Sequence, residues 1–306
     1  MSILFLIPDR NIDKLITQIR TLVSPSTEIE VWPDVKNPEK VEYVIAWNPP
    51  KGSLADLPNL KAIASFGAGV DSIVSYQGLP EVPITRIVDK HLADDMARYV
   101  LTHILAYQHH LTLYSAQQKE CYWKPKRALT NSNVLILGAG QLGMSVATSL
   151  EKNGFCCAVW SKNKKAHTSI ASYSEHELEK ALQGVDFIVN LLPATTETVG
   201  MINRHFFQLV KQGAVFINVA RGNIVNETDL IAALDDQQLA HAILDVFTIE
   251  PLPKDHALWQ HSKITITPHC AALSNIETVS EQLVDNYKRM QEGLTLHNVV
   301  DTERQY

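Results

Sequence analysis

The sequence predicts an α/β protein of two doubly wound, parallel-sheet domains, the second inserted within the first. Three observations lead there. Short apolar runs of strand length alternate with amphipathic stretches along the 306 residues. A long helical pattern over 92–119 interrupts that alternation, which then restarts. The second series ends near Pro268, leaving a last helix free to return to the first domain. Near-continuous apolar strands separated by helices are the pattern of a parallel sheet covered on both faces.

In the first series, SILFLI, EIEVW, YVIAW, KAIASF and ITRIV read as strands, with a helix over 11–22. The 92–119 stretch has neither proline nor glycine, and Val100, Ile104 and Leu111 recur at helical spacing. CYWKP ends it. NVLILG, CAVWS, DFIVNLLP, AVFINV, HAILDVF and KITITP then read as strands, separated by helices over 141–153, 175–182, 203–210 and 226–235. A final helix covers about 275–292. The expected domains are 1–98 plus 271–306, and 99–270. A cleft between two such domains is where a ligand is expected.

Composition narrows the function classes. Hydrophobic residues at 45% and charged ones at 20% are ordinary for a soluble globular chain. A net charge of −6 offers no basic field for nucleic acid. Cys121, Cys156, Cys157 and Cys270 lack metal-ligand spacing, so reduced, mostly buried thiols in a reducing compartment are expected, and no metal site. The opening run ends at Pro8, too short for a signal-peptide core, and suits a buried first strand. Nowhere does an apolar stretch reach the roughly 18 residues of a membrane helix. A soluble, cytoplasmic protein with no membrane or nucleic-acid partner is expected.

The first chemical signal is GAGQLG after the NVLIL run and before a helical pattern. Gly138 permits a tight turn, Gly140 lets backbone approach a pyrophosphate, and Gly143 lets helix pack close to strand. Gln141 and Leu142 open the helix, whose N-terminal N–H groups favour phosphate. The domain is therefore expected to be a Rossmann unit binding a dinucleotide. Eighteen residues after Gly143 stands Ser161, where an NAD-binding chain usually presents an acid. The stretch WSKNKK removes that repulsion and supplies Lys162, Lys164 and Lys165 on an otherwise acidic molecule. Charge-assisted bonds to a 2′-phosphate follow, so the expected cofactor is NADP, with Lys162 and Lys165 as first choices for contact.

Three polar groups stand at strand ends in the same domain: Arg221 in NVARGNIVNE, Glu250 in DVFTIEPLP and His269 in ITPHCAA. At the carboxyl ends of a parallel sheet such groups face the ligand crevice. Together they suit reversible hydride transfer to a 2-keto acid. A histidine can give a proton to the developing alkoxide, a neighbouring carboxylate favours the charged ring and fixes its orientation, and a guanidinium clamps the substrate carboxylate and polarises the carbonyl.

GAGQLG, LLPATTETVGMIN, NVARGNIVNE, LDVFTIEPLP and TPHCAA occur in order between Gly138 and Ala272, within a likeness that runs across nearly the whole chain. In this the sequence resembles the D-isomer-specific 2-hydroxyacid dehydrogenase family. With WSKNKK and FGAGVD it is most similar to the branch that reduces glyoxylate and hydroxypyruvate. The resemblance implies a Rossmann domain inserted in a flavodoxin-like substrate domain, a homodimer, and the Arg–Glu–His roles for Arg221, Glu250 and His269, the first and last touching substrate and Arg221 also cofactor. It implies Leu192 and Pro193 on the adenine side, Val219 and Ala220 near the nicotinamide through backbone atoms, and Asp245 on its carboxamide. It implies NADPH over a weaker NADH, glyoxylate reduced to glycolate and hydroxypyruvate to D-glycerate. Asn226 departs from the family, which usually has an acid there, and Cys270 follows the histidine where the family varies.

In the first domain, SFGAGVDSIV places Gly67, Ala68, Gly69 and Val70 at a strand-to-helix turn. Successive N–H groups there can nest the substrate carboxylate. Trp47 ends the YVIA run and by resemblance faces substrate, with packing as the other reading. Met96 is equally a core or a site residue. Two further functions stay open: another D-2-hydroxyacid dehydrogenase, of D-lactate or arylpyruvate type, or a nucleotide-sensing corepressor-like binding protein.

Overall fold

The computed structural model describes residues 2–8, 10–164 and 170–306. The chain divides into two compact units, residues 1–91 with 274–306, and residues 92–273. Each holds one sheet in which every strand pair is parallel.

The first unit contains β1 (Ser2–Leu6), α1 (Asp13–Leu22), β2 (Glu28–Val31), β3 (Val41–Ala46), β4 (Ala62–Ser65), the single turn α2 (Asp71–Val74) and β5 (Ile84–Thr85). Its strand order is β2-β1-β3-β4-β5, the flavodoxin-like winding. After Ser2, ILFL is unbroken apolar because β1 is buried on both faces. Ile3 and Phe5 pack with Leu15 and Ile19 of α1, while Leu4 and Leu6 pack with Val44, Ile63 and Ile73.

The second unit contains α3 (Lys90–Gln108), which starts just before it, then α4 (Leu111–Lys119), β6 (Asn133–Leu137), α5 (Gln141–Lys152), β7 (Cys156–Trp160), β8 (Ala171–Tyr173), α6 (Leu178–Leu182), β9 (Phe187–Asn190), α7 (Arg204–Leu209), β10 (Ala214–Asn218), α8 (Glu227–Asp235), β11 (Leu239–Leu244) and β12 (Ile264–Ile266). Its order, β12-β11-β10-β9-β6-β7-β8, reverses between β6 and β9. That switch point is where an open α/β sheet admits a ligand, outside the carboxyl ends of the strands. The chain then returns to the first unit through α9 (Ile276–Gln291), which buries Val279, Leu283 and Tyr287 in the α1 core. Among the described residues no helix is long and apolar enough to cross a membrane.

Three expectations change. The 92–119 stretch is two helices, not one, with His110 in the left-handed region between them (φ 58°). The carbonyl of Gln108 would accept from Thr112 in a continuous helix. It accepts instead from Leu129, and the Gln108 side chain bonds the Asn131 carbonyl, so a returning arm captures the end of α3. The short edge strand β8 was not foreseen, since ASY is too brief and polar to show a period. The cysteines are not mostly buried: only Cys157 is, its thiol pushed up to about 12 by burial and by the nearby Glu151 and Cys156, while Cys121, Cys156 and Cys270 are exposed. Cys156 is the exposed first residue of β7, and Cys121 lies on the arm beyond α4.

Candidate active site

The glycine turn follows β6 at the switch point. Gly138 has φ 108°, and a Cβ there would lie 2.6 Å from the Leu191 carbonyl oxygen. A Cβ on Gly143 would lie 1.8 Å from the Gly138 carbonyl oxygen, which is how α5 packs so close to β6. Gly140 differs: nothing stands within 4 Å of its would-be Cβ, and it begins α5 without a side-chain cap. Open space beside uncapped helix N–H groups suits a pyrophosphate. Gln141 is exposed and Leu142 half-buried at this end.

Ser161 follows β7. Its hydroxyl donates to the Asn163 carbonyl at 2.8 Å, so the serine shapes its own loop. Lys162 Nζ lies 2.6 and 2.7 Å from the two carboxylate oxygens of Glu197, and Lys164 Nζ 3.5 Å from Glu177. Both pairs lie at the surface, where water screens them and they add little to stability. Glu197 on the turn after β9 was not anticipated, because nothing local to ATTET marks it as a lysine partner. Lys165 lies outside the described residues.

Two buried asparagines set the loops after β9 and β10. Asn190 donates to the Asn218 side-chain oxygen at 3.0 Å, and its own oxygen accepts the Leu192 N–H at 3.2 Å. Asn218 accepts the Ala220 N–H at 3.2 Å and donates to the Arg221 carbonyl at 3.1 Å. They hold the backbone at Val219 and Ala220, both buried, and at Arg221. Leu192 is core (6% exposed), so any adenine contact there falls to its backbone and to the half-buried Pro193. The signal was present: a polar residue closes each of the apolar runs FIVN and AVFIN.

His269 Nδ1 lies 2.6 Å from Glu250 Oε2, and both side chains are 34% exposed. Glu250 Oε1 accepts the Phe247 N–H at 2.9 Å. Burial alone would push this carboxyl up. The bond to His269, the Phe247 N–H, and the charges of His269 and Arg221 outweigh it and hold Glu250 below the usual carboxylate range. Arg221 donates from Nη1 to the Ala220 carbonyl at 2.7 Å. The glycine after it is obligatory, since a Cβ on Gly222 would sit 1.9 Å from the Phe247 carbonyl carbon. Close contact of these backbones brings the Arg221 and Glu250 loops together. Glu227 steadies the second loop by accepting the Thr248 N–H at 3.0 Å. Asn226 caps α8 by accepting the Asp229 N–H at 3.1 Å, a helix-start role in which asparagine serves as well as an acid.

Asp245 is 1% exposed and follows β11. Its oxygens accept from Thr267 Oγ1 (2.6 Å), the Cys270 N–H (2.9 Å) and the Ala271 N–H (2.9 Å). It thus orders the histidine segment, a task the sequence reading did not assign. Met96 is core, 6% exposed.

In the first unit the Gly67 N–H donates to Ser65 Oγ at 3.2 Å, and Ser65 Oγ donates to the Gly69 carbonyl at 2.7 Å. The expected run of N–H groups therefore loses its first member, because a nearer hydroxyl takes it, and can begin only at Ala68. Trp47 is half-buried; a Cβ on Gly67 would meet its ring at 2.5 Å, and the Arg10 guanidinium lies 4.9 Å from the ring centroid. Among the described residues no cluster of His, Cys, Asp or Glu could hold a metal ion.

A Rossmann unit with an Arg–Glu–His set at the strand ends defines a dinucleotide-dependent oxidoreductase. Residues 101–271 match the family model of the D-isomer specific 2-hydroxyacid dehydrogenase NAD binding domain. A glyoxylate/hydroxypyruvate reductase A from Serratia proteamaculans is 37% identical over 98% of both chains. One from Yersinia enterocolitica is 36% identical over 92% of this chain and 93% of its own. A D-isomer specific 2-hydroxyacid dehydrogenase from Xanthobacter autotrophicus, solved with NADPH and MES, superposes with a TM-score of 0.92 at 34% identity, covering 100% of this chain and 99% of that one. The NADPH-dependent glyoxylate/hydroxypyruvate reductase of Sinorhizobium meliloti, solved with NADP and sulfate, gives 0.91 at 29% identity with the same coverage. The chain belongs to the D-isomer specific 2-hydroxyacid dehydrogenase family.

Proposed function

We propose that the protein reduces small 2-keto acids with NADPH, taking glyoxylate to glycolate and hydroxypyruvate to D-glycerate. The observation that supports this most is the 2.6 Å His269–Glu250 pair in the unit that holds the glycine turn. The relatives' names and the NADP complexes of similar structures point the same way. Serine at 161 in place of an acid and the lysines after it fit NADPH over NADH, with Gly138, Gly140 and Gly143 forming the turn for its pyrophosphate.

When bound, the nicotinamide supplies the hydride. Glu250 is a carboxylate, so the His269 Nδ1 carries the proton between them and Nε2 is the atom left to address substrate. His269 gives its Nε2 proton to the alkoxide as the carbonyl is reduced, and removes it in the reverse direction. Glu250 stabilises the charged ring before transfer. Arg221 holds the substrate carboxylate through its forked donors and draws electron density from the carbonyl. Substrate-contact roles are also proposed for Ala68, Gly69 and Trp47 of the first unit.

The protein is proposed to be a cytoplasmic homodimer. Leu111, Leu113, Tyr122 and Trp123 are exposed, Trp123 by 96%, and a second copy would cover them. Light scattering should give twice the 34.2 kDa chain mass. Consumption of NADPH with glyoxylate and with hydroxypyruvate tests the activity. Absence of turnover with any small 2-keto acid would overturn it.

A further inference from the structure

We infer that Tyr99 and Thr267 are positioning residues for the reduction, acting on His269 through a three-member hydrogen-bond relay that ends on the buried carboxylate of Asp245. The inference rests on the proposed role of His269.

His269 has φ 51°, a left-handed backbone that residues other than glycine adopt with difficulty. Such a conformation persists only where its surroundings over-determine it. Asp245 provides that at three successive residues. Its carbonyl accepts the His269 N–H at 2.8 Å, Oδ1 accepts the Cys270 N–H and Oδ2 accepts the Ala271 N–H, both at 2.9 Å. Both carboxylate oxygens reach those amides only if the carboxylate plane is held.

Thr267 holds it. Its hydroxyl lies 2.6 Å from Asp245 Oδ1 and 2.5 Å from the hydroxyl of Tyr99. A carboxylate only accepts, so Thr267 gives its one proton to Asp245 and Tyr99 donates to Thr267. The polarity is therefore Tyr99 to Thr267 to Asp245. Burial foremost raises the Tyr99 phenol well above its usual range, which keeps the donor protonated. The Tyr99 ring is itself held against the His103 ring, centroids 4.3 Å apart, on the same face of α3. A chain of three hydroxyl and carboxyl groups thus ties the first helix of the unit to the backbone under the imidazole. This role is separate from any carboxamide contact by Asp245, because it acts through the amides of 269–271.

The test uses Thr267→Val and Tyr99→Phe, with Thr267→Ser as the conservative rescue, in the full chain. Two readouts are taken: amide hydrogen exchange across 269–271, and steady-state turnover of glyoxylate with NADPH. Thr267→Val should speed exchange at Cys270 and Ala271 at least ~10-fold and lower kcat by roughly 10- to 100-fold, the cost of a slightly misplaced group. KM for NADPH should stay within about two-fold, since the loss is in a group used in the chemical step. Tyr99→Phe should do the same more weakly, and Thr267→Ser should restore both readouts. Unchanged exchange in Thr267→Val, or a kcat loss that serine does not rescue, overturns the relay. If the parent turns over no 2-keto acid, the functional reading fails, and the exchange measurement still decides the relay.

Discussion

His269 Nδ1 meets Glu250 Oε2 at 2.6 Å across 19 positions of sequence, and the other oxygen of Glu250 is anchored by the Phe247 N–H. The carboxylate is thus fixed from one side and orients the ring from the other. Removing the proton donor by His269→Ala should lower kcat for glyoxylate by ~10²–10⁴-fold. Affinity for NADPH, read by fluorescence titration, should be nearly unchanged. Glu250→Gln keeps the shape but removes the charge and should fall between parent and His269→Ala. Parental turnover in either variant would remove the pair from the chemistry.

The exposed Lys162–Glu197 pair occupies the lysine proposed for the adenosine 2′-phosphate, so on that proposal Glu197 would compete with the cofactor for it. Glu197→Gln should lower KM for NADPH by up to about five-fold, the scale of an exposed ion pair, and leave NADH alone. Ser161→Asp should act oppositely, reducing the NADPH-to-NADH ratio of kcat/KM by ~10-fold or more through charge repulsion. Initial rates with both cofactors decide both cases. An unaltered ratio in Ser161→Asp would mean the phosphate binds elsewhere.

Gly222 carries the contact between the Arg221 and Glu250 loops. A methyl group at 1.9 Å from the Phe247 carbonyl carbon forces backbone to move. Gly222→Ala should therefore cost roughly 1–3 kcal/mol or more in unfolding free energy, as overpacking does, and lower activity beyond that loss. Chemical denaturation and rate together check it; parental stability would show that the loops separate easily.

His241 on β11 lies half-buried, bonded to Thr265 at 2.9 Å and beside the Tyr107 ring. Burial first, then the nearby His103 and His261, push its pKa down from 6.5 to about 4. The folded value is below the unfolded one, so between them the unfolded chain binds the extra proton. Stability should fall as pH drops from near 6.5 through about 4. His241→Gln should lose ~2 kcal/mol less than the parent over that window, a figure reduced for partial exposure. Melting temperatures across pH would test this, and parallel curves would show that His241 does not titrate in the window.

Much of the fold was legible because strand and helix periods are local. After their first residues, Ser2 and Asn133, the strands SILFL and NVLIL are apolar since both faces are covered, and the later strands follow the same logic. The break at His110 was not legible: no residue there stops a helix, and the cause is Leu129 taking the Gln108 carbonyl. In the site, Arg221, Glu250 and His269 were visible as polar residues ending apolar runs. Thr267 was not, because a threonine in ITITP reads as an ordinary strand residue until Asp245 and Tyr99 stand beside it.

The sequence alone determined the two parallel sheets, the glycine turn and which chemical groups end the strands. Those features depend on side-chain period and on the space around single residues, both encoded within a few positions. Tertiary structure alone decided what each polar group holds. Ser161 turns to its own loop, Lys162 to Glu197, the Gly67 N–H to Ser65, and Asp245 to the backbone beneath His269. A hydrogen bond goes to the nearest well-aimed partner in space, and only the folded chain brings the distant candidates within reach.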